Sequence, residues 1–347
     1  MFESLGFETL TAPQAAIWFA LGLGVVFGAL AQVTRFCLRR ALVGEDRRQA
    51  AGVWLTALAV AVLGTQGAVA LGWIGFGDHR FMASELPVLA IVAGGLMFGA
   101  GMVLTRGCIS RLTVLSGSGN LRALLVLLVF AVTAHAALKG VLAPLRTSLG
   151  SVTLGLDSAA LPGSPLIWTA LIVIGALAVA LRSGNRPVML ALAALIGLLV
   201  PLAWVGTGYV LYDDFDPIAM ESLSFTSPAA ESMFYTVAAS AIPASFGTGL
   251  VGGVLVGALA AALLSGSFAW QSFESPRQTG RYMAGAVLMG LGGVLAGGCT
   301  VGAGLSGVPT LSVAAVLAIL SIVAGGLVTD RALRGVPARM AHPHPAE

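Results

Sequence analysis

The stretch Gly290–Gly307, GLGGVLAGGCTVGAGLSG, sits in one of the most apolar parts of the chain and crowds glycines around a single cysteine, Cys299. A helix that only has to span lipid gains nothing from such a cluster, because each glycine weakens a helix by roughly 1 kcal/mol relative to alanine. The glycines are therefore expected to break the helix and bare backbone N–H groups. Inside a membrane, such groups are tolerated where they face protein or a cavity, never lipid. The fold follows from what surrounds this break.

The surroundings are those of a membrane protein. The 347 residues are 57% hydrophobic and 10% charged, against about 25% charged in soluble domains. Crossing a bilayer takes about 20 helical residues, and nine apolar segments meet that length: about 14–34, 51–73, 87–105, 121–140, 164–181, 188–211, 232–265, 281–298 and 310–328. None shows the short alternation of barrel strands. The first is not expected to be a cleavable signal, since Glu3 and Glu8 stand where a positive region belongs. The seventh is too long for one crossing, and Ile242-Pro243-Ala244-Ser245-Phe246-Gly247 predicts a break or a re-entrant piece within it. The expected class is an all-α polytopic membrane protein of about nine spans plus short re-entrant helices.

Short loops rich in Lys and Arg stay cytoplasmic. Under nine spans, Arg35 to Arg48, Arg106 to Arg122, Arg182 and Arg186, Arg277 and Arg281, and Arg331 to Arg339 all fall on one face. The opposite face collects Glu3, Glu8, Asp78, Glu85, Asp157, Asp213, Asp214, Asp216 and Glu221, relieved by Arg80, Lys139 and Arg146. This predicts a periplasmic N-terminus and a cytoplasmic C-terminus in a bacterial inner membrane. The net charge of +3 describes topology and gives no reason to expect nucleic acid, because the basic residues are dispersed over separate loops. The segment 141–163 reads as a linker or a short amphipathic piece.

A repeat organises the spans. GGLMFGAGMVLTRGCISRLTVLSG from Gly94 lies over GAVLMGLGGVLAGGCTVGAGLSG from Gly285, with Cys108 on Cys299 and Gly99 on Gly290. A shift smaller by a couple of residues places Arg35-Phe36-Cys37 on Ser224-Phe225-Thr226. Five crossings separate spans three and eight, so the repeats are inverted, a plan in which broken helices of transporters meet near the midplane. The expected division is a first repeat over 1–145, a linker and linking span over 146–187, and a second repeat over 188–347.

The three cysteines, Cys37, Cys108 and Cys299, all lie at span ends, and each follows a glycine by nine residues, at Gly28, Gly99 and Gly290. With no CxxC, and with His79, His342 and His344 in loops or tail, they make a poor zinc site. No metal or cofactor is expected. His135 reads as a packing histidine in span four. Broken-helix ends form anion sites from backbone N–H groups without a charged side chain. That chemistry marks Gly107, Cys108, Gly298, Cys299 and Thr300, and by the weaker pairing Cys37 and Thr226. Arg106 and Arg111 flank Cys108, but their repeat equivalents are Gly297 and Gly302. Attraction of an anion at the inner mouth therefore competes with an ordinary inner-loop role for both; Arg106 is kept as a candidate substrate contact.

The motifs VTRFCLRRAL, GAGMVLTRGCISRLTVLSGSGN, FGTGLVGGVLVGALAAALLSGSFAW and LMGLGGVLAGGCTVGAGLSG resemble the YeeE/YedE family of bacterial inner-membrane sulfur-compound transporters across essentially the whole chain. The resemblance implies uptake of thiosulfate, or a similar sulfur or selenium species, past three cysteines of a constricted pore, carried over to Cys37, Cys108 and Cys299. It also implies a cytosolic partner such as a TusA-like sulfur carrier or a sulfurtransferase. Thiosulfate is a dianion with a hard sulfonate end and a soft sulfur, and a neutral thiol is a weak donor suited to the soft end. Weak sites also release what they bind. No GxxxxGK[ST] motif is present, so nucleotide hydrolysis is not the expected drive. The alternative is a membrane sulfurtransferase that passes sulfane sulfur through a cysteine persulfide.

Overall fold

The computed structural model describes residues 10–213 and 215–335. Glu3, Glu8, Asp214, Arg339, His342 and His344 lie outside the described residues. Eight described helical segments are long and apolar enough to cross a membrane, and a shorter apolar helix, Pro165–Leu181, joins them. Strand is confined to a two-residue pairing of Glu85–Leu86 with Leu154–Gly155 among the described residues. The chain is an all-α polytopic membrane protein.

In chain order the helices are α1 (Ala12–Thr34), α2 (Leu38–Val43), α3 (Arg47–Ala70), α4 (Val88–Leu104), α5 (Ile109–Gly117), α6 (Leu121–Lys139), α7 (Ala143–Gly150), α8 (Pro165–Leu181), α9 (Pro187–Val205), α10 (Thr226–Ala238), α11 (Phe246–Leu264), α12 (Pro276–Leu295) and α13 (Val313–Gly335), with a π-helical segment over Thr300–Gly307. The overlong seventh apolar segment is two helices: α10 stops before Pro243, and Ser245 caps the start of α11 by accepting from the Thr248 N–H. Proline and a new N-cap are what end one helix and begin another.

Helix directions alternate as successive crossings require. Ile17, Leu21 and Val25 of α1 meet Gly249, Gly253 and Gly257 of α11 in parallel order, and Gly95 and Gly99 of α4 meet Ser321 and Gly326 of α13 likewise. The α4–α12 pair is antiparallel: Gly94 faces Gly292, and Gly101 faces Gly285. Because Gly285 and Gly292 are the repeat partners of Gly94 and Gly101, each contact is the image of the other, as a two-fold axis through the pair would make it. The wider packing follows suit. Helix α1 packs on α11 as α9 packs on α3, α4 on α13 as α12 on α6, and α10 on α6 and α11 as α2 on α13 and α3. Helix α8 packs on α3 and has no counterpart.

At the α4–α12 crossing the backbones touch. A Cβ at Gly101 would lie 2.5 Å from the Gly285 carbonyl oxygen and 2.9 Å from the Met289 nitrogen. Small residues at membrane helix crossings permit this approach, and packing replaces the hydrophobic effect as the driving force there. Gly101→Val is therefore expected to destabilise the fold by about 1–3 kcal/mol, the usual cost of overpacking. Thermal unfolding in detergent checks it; an unchanged melting temperature would show that the crossing is not tight.

Candidate functional site

Three times the chain repeats one local device. A spanning helix ends at a residue in the left-handed region, one residue intervenes, and a cysteine stands at the N-cap of a shorter helical piece. The left-handed residues are Arg35 (φ 54°), Arg106 (φ 61°) and Gly297 (φ 73°); the N-caps are Cys37, Cys108 and Cys299. Gly297 takes this conformation without strain, whereas the two arginines pay for it. At the first break, Arg40 forms an ion pair with Asp46 and aims its remaining nitrogen, Nη1, at the carbonyls of Thr34 and Arg35, which α1 leaves unpaired at its end.

The structure brings these breaks together. The Cys37 and Cys108 side chains interact with each other, and Cys108 also interacts with the Thr300 hydroxyl from the other half. Cys108 Sγ lies 3.0 Å from Ser110 Oγ. Cys299 Sγ accepts from the Gly302 N–H at 3.3 Å, so this thiol caps the first turn of the π-helical segment. All three thiols are free and buried. Phe36 and Phe225, the repeat-equivalent aromatics, both pack on Phe27, with centroids 6.2 and 5.4 Å away. Thr226, which stands where the first half has Cys37, is 4% exposed, and its hydroxyl has no partner among the described residues. It packs beside Gly293 of α12. Gly107 accepts from the Thr105 hydroxyl at 2.9 Å. At Gly298 an added Cβ would sit 2.8 Å from the Ala303 nitrogen, so only glycine lets the chain turn so tightly into the π-helical segment.

Arg106 does not join this cluster. Its side chain is exposed and borders a recess of about 190 Å³ together with Arg122 and Tyr282. Arg111, which looked like an ordinary inner-loop arginine, turns inward instead. Its Nη1 donates to the Ala31 carbonyl at 3.1 Å, and its charge acts on Cys37 and Cys108. His135 stacks on Phe234 with centroids 3.5 Å apart, a packing role.

On the other side of the thiols a cavity of about 880 Å³ opens between the segments 72–81 and 208–231, and its lining reaches Ser224, Gly302 and Ser306 beside Cys299. Ser306 holds this wall by donating to the Leu223 carbonyl at 2.7 Å, and Ser312 donates to the Phe81 carbonyl at 2.6 Å. Arg80, Glu221, Glu231 and His79 face the cavity. The Arg80 guanidinium stands 5.1 Å from the Phe81 ring centroid; it is open to the cavity but so enclosed by protein that loss of hydration lowers its pKa, while Glu221, Cys299 and Glu231 oppose the shift. Burial, with Glu231 adding to it, pushes the Glu221 carboxyl up to about 7. Burial, with Arg80 adding to it, pushes His79 down to about 4. The imidazole is thus neutral at physiological pH, and its Nδ1 accepts from the Phe81 N–H.

Sequence reasoning did not single out Arg80 or Glu221, and set an anion-attracting role for Arg111 against an ordinary inner-loop one, because each sits in a loop or helix start where charge marks topology. The one available signal was that Arg80 broke the acidic pattern of its face. Asp213 and Asp216, by contrast, are not part of the cavity lining.

Comparison with known proteins bears on this arrangement. A family described as sulphur transport matches residues 33–328. The chain is 26% identical over 81% of its length to the thiosulfate transporter TsuA of Escherichia coli (strain K12), covering 84% of that protein. It is 25% identical over 89% of its length to the thiosulfate transporter TsuA of Spirochaeta thermophila, covering 96% of that protein.

Proposed function

Because the chain belongs to the sulphur-transport family, we propose that it carries thiosulfate, or a closely similar sulfur anion, inward across the bacterial cytoplasmic membrane along a path lined by Cys299, Cys108 and Cys37. The observation that carries the reading is the convergence of cysteine-capped helix starts from opposite halves of the chain within a membrane bundle. Helix α5 and the π-helical segment aim the positive ends of their dipoles at this region, where an anion is held without a strong point charge. Thiols contact the soft sulfur weakly and let it go, which conduction needs. Thr300 and Thr226 add hydroxyl donors for the hard sulfonate end, Gly107 and Gly298 give the anion access to backbone, and Arg106 draws anions at the inner mouth. That both relatives are thiosulfate transporters supports a thiosulfate cargo.

The same reading divides the chain into inverted repeats over 1–145 and 188–347 around a linker and linking span over 146–187. The paired helix contacts support that division. The arginine-rich loops support a cytoplasmic C-terminus, on the side where a TusA-like carrier or a sulfurtransferase would collect the product. Uptake of thiosulfate carrying different sulfur labels at its two positions tests the proposal. Transport delivers both labels inside in equal amounts. A persulfide-forming sulfurtransferase breaks the S–S bond and leaves sulfite outside, so only the sulfane label would enter; that outcome would replace the transport reading.

A further inference from the structure

Among the described residues, the cavity above Cys299 is lined by one guanidinium and three carboxylates that the thiol path does not use. Arg80 projects into it, and among the described residues Arg80 forms no ion pair. Its charge is instead felt at longer range by Glu221 and Glu231. Both carboxylates line the same cavity: Glu221 from the segment after α9, Glu231 from α10. Glu231 is engaged, since its Oε2 accepts from the Ser245 hydroxyl at 3.1 Å. Glu221 is pinned through its backbone, its N–H donating to Thr207 Oγ1 at 2.9 Å while the same hydroxyl donates to the Glu221 carbonyl at 2.8 Å. These two hydrogen bonds tie the Glu221 backbone to the turn just past α9, at the edge of the cavity. The other titratable groups facing the cavity are Asp78, His79 and Tyr212, with the Cys299 thiol just beyond its lining.

A dianion entering this cavity meets a guanidinium that attracts it and carboxylates that repel it and compete for the same cation. Whichever carboxylate can shed its charge decides the balance. We infer that the cavity is a capture site for a divalent sulfur oxyanion built on Arg80, and that Glu221 makes capture proton-linked by giving up its negative charge when the anion binds. This rests on the transport reading above and adds to it a binding residue, a regulating residue and a co-bound proton.

The sign is fixed by the environment of Glu221. Its carboxyl titrates near 7 because burial and Glu231 disfavour the charged form. Below that pH the cavity keeps Arg80 with one fewer opposing charge; above it, ionised Glu221 faces both Arg80 and the incoming dianion. His79 does not take part, since it is neutral until about pH 4. Anion capture therefore strengthens as pH falls through about 7.

The test is uptake of labelled thiosulfate into proteoliposomes of the full-length protein, with equal pH on both sides so that no proton gradient contributes. The wild-type KM is expected to rise about tenfold from the acid to the alkaline side of pH 7, the order of one added unit-charge repulsion at partly screened range. Glu221→Gln should hold the acid-side KM at every pH, and Arg80→Gln should raise KM about tenfold throughout, with Arg80→Lys recovering part of the loss. A pH-independent wild-type KM, or a Glu221→Gln variant that keeps the wild-type slope, overturns the inference while leaving transport intact. The wild-type profile needs no variant to fold. Absence of thiosulfate uptake at all pH values would instead overturn the transport reading itself.

Discussion

Cys299→Ala is expected to lower thiosulfate uptake by on the order of 100-fold, the scale on which a preorganised donor acts when it is removed, while the protein remains folded in the membrane. The thiol is fully buried at the head of the π-helical segment, so a methyl in its place neither donates to sulfur nor caps the segment. The cap accounts for only about 1 kcal/mol of local stability, too little to unfold a bundle of this size. Cys299→Ser separates the mechanisms further. A hydroxyl still donates but is harder, so the serine variant should keep a fraction of uptake and shift its preference toward oxyanions such as sulfate. Persulfide transfer predicts otherwise: neither serine nor alanine forms a persulfide, both variants are equally inactive, and the wild type gains the mass of one sulfur in a reductant-sensitive form. Full uptake by Cys299→Ala would overturn both mechanisms.

Much of this arrangement was legible in the sequence because membrane constraints are strong and one-dimensional. Span length, the break before α11 and the Gly94/Gly285 correspondence all follow from hydropathy and glycine spacing, and the structure places a helix break two residues before each cysteine, at Arg35, Arg106 and Gly297. What sequence could not supply was the direction of side chains near helix ends. Arg106 and Arg111 are five residues apart and equally suited to an inner loop, yet the left-handed turn at Arg106 leaves its side chain outside, while Arg111 falls in the first turn of α5 and points back at α1. Arg80 and Glu221 likewise lie more than a hundred residues apart, and nothing local in either segment tells that both face one cavity. Charge in a loop carries topological and chemical information in the same letters, and only the fold separates them.

That separation makes Arg111 the second decisive position. Its guanidinium forms no ion pair among the described residues and is held by the Ala31 carbonyl, at the last turn of α1, beside Cys37 and Cys108. A cation left without a counter-ion inside a membrane bundle is costly and marks an ion pathway. On the transport reading, the missing counter-charge is the passing anion. Arg111→Leu should therefore cut uptake by at least about tenfold, because the anion leaving Cys108 loses the positive charge nearest to the thiols. Arg111→Lys keeps the charge but loses the Nη1 bond to the Ala31 carbonyl, so it should retain intermediate uptake. A purely anchoring role predicts a different pattern, in which the loss follows the fall in melting temperature and lysine does no better than leucine. Thiosulfate separates the two directly: a ligand at 100 times its Kd stabilises the folded protein by about 2.7 kcal/mol, and that protection should be full in the wild type, smaller in Arg111→Lys and smallest in Arg111→Leu, where a tenfold weaker site leaves about 1.4 kcal/mol or less. Equal protection of all three proteins would show that Arg111 holds α5 against α1 and never meets the anion.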